Sequence, residues 1–332
     1  MDVLVLGGTV FLSRAMAATA VAAGHRVTVF NRGRSGEPVG GVRTVIGDRS
    51  RPEELAAVAG GDYDLVFDTA YDPDFARTSA AMLRRSVGHY AYVSSINAFP
   101  GWPEDPDYRA RGTWDAPADA AEPADLQPHE AYGWRKVKAE NIVRSIIGDE
   151  HTTVLRAGCI VGPHDGVGRL PWWLSRVARG GEVLAPGDPD RGLRLIDARD
   201  IAAFALLRAP GTFEVTGPDG QTTWRQLLDD AREVTGSDAR FTWVPDDRLA
   251  GRVEGWTELP LWIPPDEGPS LWSHDSRPAE AAGLTCRPVV DTLRDVRTWM
   301  QGVPGGWQPS ERTPGLAPER EAELLAEFAT RA

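Results

Sequence analysis

The chain has 332 residues, of which 42% are hydrophobic and 25% charged, so it is long enough and apolar enough to bury a large core. The net charge of −12 and the sequence pI near 5.0 argue against a surface for nucleic acid or an anionic membrane, because both require clustered lysine and arginine. Two distant cysteines and the lack of a leader pattern or a long apolar run favour a cytoplasmic protein without a structural disulfide or metal site.

The first half of the chain alternates predicted strands and helices. Short apolar runs predict strands at 2–6, 26–31, 43–46, 63–69, 89–94 and 152–156. Helical patterns lie between them at 10–23, 52–59, 73–87 and 131–147. This alternation is typical of an α/β protein with a Rossmann-type doubly wound parallel sheet, covered by helices on both faces. A smaller α+β domain is expected in the C-terminal part.

The rest of the chain sets the predicted domain boundaries. A proline- and aspartate-rich stretch at 99–130 predicts a long loop, whose acidic part, 104–125, is expected to form a solvated lid. Further helices are predicted at 170–179, 200–208, 223–235, 289–301 and 319–330, with a strand at 193–196. We expect a first domain of residues 1–161 plus about 193–212, and a second domain of residues 162–192 plus 213–332.

The N-terminal segment MDVLVLGGTVFLSR predicts a strand, a glycine turn and the start of a helix. At such a turn, backbone N–H groups and the positive end of the helix dipole face a position that a phosphate can occupy. A dinucleotide-binding turn has three glycines, and Gly7 supplies the first. Val10 and Ser13 occupy the other two positions, so Val10 places a side chain where a pyrophosphate would approach. An ordinary strand–helix corner is the alternative interpretation.

Tyr132 and Lys136 are four residues apart in a predicted helix, which makes their side chains neighbours on one helix face. We expect the Lys136 ammonium to lower the pKa of the Tyr132 phenol, which would let the phenol exchange a proton near neutral pH. The preceding strand ends in Ser94 and Ser95, at the edge where open α/β sheets bind ligands. Since side chains alternate across a strand, only one of these serines can face that site.

Six segments occur in the order found in one superfamily: GGTVFLSR, VTVFNRGRS, GDRS, YVSSINAF, YGWRK and VLRAGCIVGPHD. On these segments the chain resembles the extended (atypical) short-chain dehydrogenases/reductases, in their NAD-dependent epimerase/dehydratase-like branch. The resemblance covers about the whole chain and is strongest over residues 1–209. It implies that the first domain binds NAD(P) and that the second binds the substrate.

The resemblance also implies catalytic roles. It makes Tyr132 the general acid/base, Lys136 its electrostatic partner and a holder of the nicotinamide ribose, and Ser95 the hydroxyl that orients the substrate oxygen. The spacing to Phe99, which matches an aromatic position of the family, favours Ser95 over Ser94.

The residues after the second predicted strand bear on the choice of nicotinamide nucleotide. The segment Asn31–Arg32–Gly33–Arg34 contains no carboxylate for a ribose 2′-hydroxyl, and guanidinium groups suit a phosphate monoester. We therefore predict a preference for NADP(H), with NAD(H) as the alternative. A solvated basic turn is the interpretation without a ligand.

Further cofactor contacts follow from the resemblance. Asp48 is expected near the adenine, and Thr69 and Ala70 beside the adenosine ribose. The loop that contains Ala157 and Cys159 is expected against the nicotinamide carboxamide. The predicted cofactor-binding residues are Gly7, Thr9, Val10, Phe11, Leu12, Asn31, Arg32, Arg34, Asp48, Arg49, Thr69, Ala70, Tyr132, Lys136, Ala157 and Cys159.

Predicted substrate contacts come from both domains. Ser95 and Asn97 are expected from the first, and His164, Trp172 and Trp173 from the second. The second half is rich in tryptophan, which could line an apolar pocket, although filling the core is the alternative role for each tryptophan.

These observations favour an NAD(P)-dependent reductase that moves a hydride to or from a carbonyl or carbinol carbon of a small metabolite. The first alternative is an epimerase or dehydratase that retains NAD(P) and acts on a sugar-like or nucleotide-sugar substrate. That interpretation is weakened because Leu193 occupies the position of the family's pyrophosphate-binding arginine, and Arg194 is displaced by one residue. A non-catalytic, NAD(P)-bound RNA-binding or regulatory protein is a further alternative. The oligomeric state is left open, with a homodimer as the candidate.

Overall fold

The computed structural model describes residues 1–329, which form two compact units. The first unit comprises residues 1–160, 196–217 and 273–286, and the second comprises 161–195, 218–272 and the described residues from 287 onward. The expected boundaries place 273–286 in the second domain. The structure places them in the first unit, because Ala279 and Leu284 are buried in its core. Thr330, at the end of the last predicted helix, lies outside the described residues.

Strands and helices alternate through most of the first unit and are more mixed in the second. The strands are β1 (Asp2–Leu6), β2 (Arg26–Asn31), β3 (Arg43–Ile46), β4 (Leu65–Asp68), β5 (Tyr90–Ser95), β6 (Thr152–Ala157), β7 (Cys159–Val161), β8 (Glu182–Pro186), β9 (Gly192–Leu193), β10 (Leu195–Asp197), β11 (Gly211–Val215), β12 (Thr222–Thr223) and β13 (Arg240–Val244). The helices are α1 (Phe11–Ala22), α2 (Pro52–Ala59), α3 (Pro73–Leu83), α4 (Pro128–Ile147), α5 (Arg169–Ala178), α6 (Ala198–Leu206), α7 (Trp224–Thr235), α8 (Asp246–Leu249), α9 (Arg277–Ala281), α10 (Val289–Gln301) and α11 (Pro318–Ala329). None of the helices within residues 1–329 combines the length and the apolar sequence that a membrane crossing requires.

The first unit is built on a seven-stranded sheet with the order β11-β6-β5-β4-β1-β2-β3, in which every pairing is parallel. Val3 and Val5 of β1 face an apolar cluster that includes α1 and α6. Leu4 and Leu6 face the opposite cluster, which includes α2, α3 and α4. The predicted doubly wound α/β fold is therefore confirmed, and the carboxyl ends of its strands form the edge at which such sheets bind ligands.

Most differences from the predicted elements lie at boundaries. The bounds of β1, β2, β3 and α2 agree with the prediction. Helix α4 begins three residues early, because Pro128 takes its first position and Gln127 forms a capping box with Glu130. The prediction omits β11, whose sequence GTFEV offers only one fully buried residue and no apolar run. The predicted strand at 193–196 is divided between β9 and β10, both outside the seven-stranded sheet.

The later part of the segment between β5 and α4 is bound to α4. The indole N–H of Trp134 donates to the carbonyl of Asp115 at 3.2 Å, and the ammonium of Lys138 donates to the carbonyl of Ala120 at 2.7 Å. The solvated lid at 104–125 stays a prediction: most of its acidic residues are exposed, although two side chains of α4 bind the backbone of this segment.

The second unit contains small sheets and four longer helices, α5, α7, α10 and α11. Strand β8 pairs in parallel with β13, and β9 pairs antiparallel with β12. Trp173 of α5 and Trp224 of α7 are both completely buried and meet edge to face, with ring centroids 5.4 Å apart. Large aromatic side chains thus fill the interior of this unit.

A buried ion pair attaches α11 to the second unit. Nε of Arg176 on α5 lies 2.5 Å from Oε2 of Glu321 on α11, and both side chains are almost fully buried. The other carboxylate oxygen of Glu321 accepts the backbone N–H of Leu184 in β8 at 3.0 Å. The carboxylate of Glu321 is therefore satisfied on both oxygens.

Candidate active site

The turn after β1 has a backbone that only glycine adopts easily. Gly7 and Gly8 have φ values of +129° and +97°. A Cβ at Gly8 would lie 2.5 Å from Cγ1 of Val29, and one at Gly7 would lie 2.9 Å from Oγ of Ser13. The side chain at the third fingerprint position, Ser13, therefore packs directly on the first glycine.

The start of α1 presents its first-turn N–H groups beside this turn. Val10 occupies the N-cap position and has no oxygen with which to cap the helix. Its side chain is 51% exposed and lines the adjoining cavity. Phe11 and Leu12 direct their side chains against the core instead, so only their backbone faces the turn.

A cavity of about 430 Å³ lies above the carboxyl ends of β1, β2, β3 and β4. Ten of the predicted cofactor-binding residues line it: Gly7, Thr9, Val10, Asn31, Arg32, Arg34, Asp48, Arg49, Thr69 and Ala70. Eight further residues line it that the prediction omits: Ser13, Phe30, Gly33, Ser35, Gly47, Tyr71, Asp72 and Phe75. Six of these adjoin a predicted position in the sequence and Asp72 lies two residues from one, so extending each predicted segment by one or two residues would have found all but Phe75.

The side chain of Asn31 connects the two loops at the edge of this cavity. Its Nδ2 donates to the carbonyl of Gly7 at 3.1 Å, and its Oδ1 accepts the N–H of Gly33 at 2.8 Å. Arg32 and Arg34 follow it with exposed side chains, and within residues 1–329 neither guanidinium has a hydrogen bond or ion pair. Two cations without a bound partner thus border the cavity.

Asp48 and Arg49 form another wall of the cavity. Hydrogen bonds from the backbone and hydroxyl of Ser50, with Arg32 nearby, lower the pKa of Asp48. The guanidinium of Arg49 lies 2.6 Å from the completely buried carboxylate of Asp68 and donates to the carbonyl of Leu6 at 2.7 Å. Arg49 is therefore fixed by the sheet below it.

Ser95 and its neighbour Ser94 are used differently. The hydroxyl of Ser95 interacts with the phenol of Tyr132 and lowers its pKa, whereas the hydroxyl of Ser94 donates to the buried carboxylate of Glu140. Ser95 also donates to Oδ1 of Asn97 at 2.9 Å, which places the Asn97 amide beside it. The structure thus brings together Ser95, Asn97 and Tyr132, and turns Ser94 away.

Lys136 lies beside this group but does not bond the tyrosine. The residue is 4% exposed, and its ammonium donates to the carbonyls of Ala70 and Val93, both at 2.8 Å. Burial lowers the pKa of Lys136 to about 8 and raises the pKa of Tyr132 above its ordinary value. The expectation that Lys136 lowers the pKa of Tyr132 is therefore wrong for this structure, since the ammonium is bound at the ends of β4 and β5.

Gly133 lets α4 approach the turn that follows Ser95. A Cβ at Gly133 would lie only 1.9 Å from the carbonyl oxygen of Asn97, and 2.8 Å from the indole nitrogen of Trp114. That same carbonyl accepts the indole N–H of Trp114 at 3.0 Å. The glycine next to Tyr132 therefore sets the distance between the helix and the Ser95 turn.

Tyr71 is a site residue that the sequence analysis missed. Its ring is stacked on that of Tyr132, with centroids 5.6 Å apart and planes 14° apart. It also lines the cavity at the end of β4. The only sequence signal was its position directly after Thr69 and Ala70.

The loop after β6 lies next to Ser95. Ala157 is the register partner of Ser95 in the sheet and is buried, while Cys159 is partly exposed. The N–H of Gly158 between them donates to the carbonyl of Val215 at 3.0 Å. Ala157, Cys159, Tyr132 and Lys136 do not line the 430 Å³ cavity.

The predicted substrate residues of the second unit are mostly interior. Trp173 is completely buried, and its indole N–H donates to the carbonyl of Pro260 at 2.8 Å. Trp172 is also buried and lies against Gly315. The prediction of Trp172 and Trp173 as pocket walls is therefore corrected to a core role, because their faces are covered by protein. His164 is partly exposed, and its ring contacts Trp299 at 5.3 Å between centroids.

Metal ligation finds no support in the described part of the chain, where no group of three or more histidine, cysteine or acidic side chains could hold an ion. The acidic residues of the 104–125 segment include two that are engaged in separate ion pairs. Glu122 pairs with Arg135, and Asp105 pairs with Arg111.

Comparisons with known proteins agree with this architecture. A model of the family described as NAD dependent epimerase/dehydratase matches residues 3–211. A search of curated proteins finds no match.

Solved structures with similar folds include nucleotide-sugar enzymes. UDP-glucose 4-epimerase of Thermotoga maritima, solved with UDP-glucose, has a TM-score of 0.60 and 19% identity, covering 91% of this chain and 99% of that one. The Bordetella bronchiseptica enzyme WbmG, in complex with NAD and UDP, has a TM-score of 0.60 and 18% identity, covering 90% of this chain and 94% of that one. UDP-N-acetylglucosamine 4-epimerase of Bacillus cereus has a TM-score of 0.60 and 14% identity, covering 91% of this chain and all of that one. At these identities the likeness is one of fold.

Proposed function

Because the chain belongs to the NAD dependent epimerase/dehydratase family, we propose that it is an NAD(P)-dependent enzyme whose Tyr132 exchanges a proton with a substrate oxygen. The family match confirms the resemblance drawn from the sequence. The observation on which the proposal rests is the pairing of Ser95 with Tyr132, whose pKa it lowers, at the same sheet edge as the 430 Å³ cavity, with Lys136 buried beside it.

The cavity suits a dinucleotide. The Gly7–Gly8 turn exposes the uncapped first turn of α1, which is a favourable place for a phosphate. A Cβ at either glycine would meet a side chain, so only glycine fits at these two positions of the turn. The side chain of Val10 narrows the path by which a phosphate would reach the start of α1. It does not close this path, since Gly7 and Ser13 also line the cavity.

NADP(H) is the nucleotide that we propose. Arg32 and Arg34 border the cavity without a partner among residues 1–329, and position 31 holds an asparagine whose amide is already bonded to the loops. NAD(H) is the alternative, and the similar Bordetella enzyme was solved with NAD. The lowered pKa of Asp48 keeps a negative charge near Arg32, which would weaken the attraction of Arg32 for a 2′-phosphate.

When bound, the nicotinamide would accept or supply a hydride at the carbon that bears the substrate oxygen. Tyr132 would give its proton to that oxygen during reduction, because a raised pKa keeps the phenol protonated at neutral pH. Ser95 would hold the same oxygen through its hydroxyl, with the Asn97 amide adjacent. Lys136 would place a buried cation near the ends of β4 and β5.

For the substrate, we propose a sugar-like molecule that is epimerised or dehydrated while the nucleotide is retained. The family and the UDP-sugar enzymes of similar fold support this alternative better than the stand-alone reductase favoured by the sequence analysis. The reductase remains the second candidate for one reason, which is that protonated Tyr132 and the cavity cations Arg32 and Arg34 suit reduction by NADPH.

One preparation distinguishes these functions. Purified protein is denatured and assayed for released nicotinamide nucleotide, and intact protein is then incubated with UDP-sugars without added nucleotide. Retained nucleotide together with product supports the epimerase or dehydratase. An empty preparation that oxidises NADPH only when a carbonyl compound is added supports the reductase. Absence of nucleotide binding in both assays, or full turnover by Tyr132→Phe, would reject the proposal.

A further inference from the structure

Tyr71 is the residue that touches both the cavity and the proposed acid/base. It is 47% exposed, which is unusual for a tyrosine ring in this chain, where the other described tyrosines are more buried. One face of its ring is stacked in an offset geometry on Tyr132. The other cavity residues contributed by the end of β4, Thr69 and Ala70, have no aromatic ring with which to stack on Tyr132.

Arg135 and Glu122 form a chain of polar contacts that holds Tyr71 in place. Nη1 of Arg135 donates to the hydroxyl of Tyr71 at 2.6 Å, and the guanidinium carbon lies 5.4 Å from the Tyr71 ring centroid. Arg135 is in turn bound through two nitrogens to the carboxylate of Glu122, at 2.5 and 2.8 Å. Glu122, in the segment that precedes α4, therefore fixes the orientation of the Arg135 guanidinium.

The interaction with Ser95 cannot by itself hold Tyr132 in one orientation. A contact at the phenolic oxygen leaves the ring free to turn about the Cβ–Cγ bond, where the torsional preference is broad. A stacked neighbour restricts the plane of the ring. The titratable and polar groups near Tyr132 are Ser95 and Tyr92 from β5 and Tyr71 from the loop after β4. Arg135 and Glu122 bind to Tyr71, and Lys136 is on the same helix.

We infer that Tyr71 is a positioning residue for Tyr132: Glu122 and Arg135 hold the Tyr71 ring flat against the Tyr132 ring, and this stack fixes the Tyr132 hydroxyl at Ser95. The inference rests on the proposed function, since it gives Tyr132 the role of acid/base. It adds a residue outside the Ser95–Tyr132–Lys136 set on which the reaction would depend.

The test uses three substitutions of graded severity in the full-length protein. Tyr71→Phe and Arg135→Gln each remove the same hydrogen bond and keep the Tyr71 ring, so each should lower kcat by a few-fold, and the double variant should be no worse than either single one. Tyr71→Ala removes the stack and should lower kcat about ten-fold or more, as expected for a misplaced catalytic group. Tyr71→Ala should lower kcat by a larger factor than it changes the KM for substrate.

A second readout does not need activity. Tyrosinate absorbance is followed as the pH is raised, and the Tyr132 contribution is assigned by difference from Tyr132→Phe. Tyr71→Ala uncovers Tyr132, so its titration should move to lower pH, whereas Tyr71→Phe should leave it closer to that of the parent. Circular dichroism melts of all variants verify folding.

The outcomes separate the two proposals. Unchanged kcat and an unchanged Tyr132 titration in folded Tyr71→Ala would overturn the positioning role, even if Tyr132→Phe is inactive. Losses of kcat that add in the double variant Tyr71→Phe/Arg135→Gln would also overturn the positioning role, because they would show that the two residues act independently. A shifted titration in a protein that binds no nicotinamide nucleotide would keep the positioning role and reject the proposed function.

Discussion

Lys136 lies one helical turn beyond Tyr132, yet its ammonium donates to the carbonyls of Ala70 and Val93 and not to the tyrosine. The lysine thus connects the ends of β4 and β5 from beneath the site. Its contribution to stability should depend on pH in a way that an exposed lysine would not show.

The first prediction concerns that pH dependence. The pKa of Lys136 is about 8 in the folded protein and near 10.5 unfolded, so between these values the unfolded chain binds more protons. The free energy of unfolding of the parent, minus that of Lys136→Met, should therefore rise with pH across this window, by at most about 1 kcal/mol per pH unit. Urea titrations at several pH values measure it. A difference that stays flat from pH 8 to about 10 would contradict the buried charge.

The second prediction separates Ser95 from Ser94. Ser95→Ala removes the hydroxyl that interacts with Tyr132, so kcat should fall at least ten-fold and the pKa of Tyr132 should rise further, because Ser95 lowers it. Ser94→Ala leaves buried Glu140 with one donor fewer, and should cost about 1–3 kcal/mol of stability with a smaller effect on kcat. Steady-state rates and thermal melts of both variants decide. Equal loss of kcat in the two would refute the assignment.

The third prediction concerns Gly133. An alanine there would place a Cβ 1.9 Å from the Asn97 carbonyl, so the turn after Ser95 must move or α4 must shift. We expect Gly133→Ala to lose activity and to destabilise the protein by about 3 kcal/mol, in the range of severe core overpacking. Gly60→Ala is the matched control, since its Cβ would meet no atom within 4 Å. Similar melting temperatures for the two variants would show that the close approach is relaxed in solution.

The fourth prediction concerns the choice of nucleotide. Replacing both Arg32 and Arg34 by alanine should raise the Kd for NADPH roughly ten- to a hundred-fold, the loss expected for charge-assisted bonds to a phosphate. The Kd for NADH should change little. Replacing both Arg84 and Arg85 by alanine, two exposed cations beyond α3 and outside the cavity, controls for the change in net charge. Calorimetry with both nucleotides measures the ratio, and equal weakening of NADH and NADPH would argue against contact with a 2′-phosphate.

Local sequence patterns predicted which residues lie at the sheet edge, but they did not predict the contacts between α4 and that edge. The apolar strand and glycine pair around Gly7 identify the turn, because backbone conformation and strand burial leave direct marks in the sequence. Position alone also points to Arg32 and Asp48, which follow strands. The bonds of Lys136 to two distant carbonyls depend on how α4 packs on the sheet, and helical spacing does not determine that.

The sequence also did not reveal which aromatic side chains are buried. Trp172 and Trp173 form adjacent aromatic positions in a helix, and such a pair suits a pocket wall as well as a core. The structure decides for the core because α7 covers Trp173 and the chain at Gly315 covers Trp172. Tyr71, which does face a cavity, has no neighbouring pattern that would distinguish it from an ordinary loop tyrosine.

The contact between Arg176 and Glu321 gives the far C-terminal region a role in the integrity of the second unit. A truncation ahead of residue 321 would leave a buried guanidinium without its carboxylate, a defect that typically costs about 3–5 kcal/mol. Nicking by a protease in the chain before α11 would act the same way if the released peptide diffused off. Intact and clipped molecules should therefore differ sharply in heat resistance, although every residue around Tyr132 is still present.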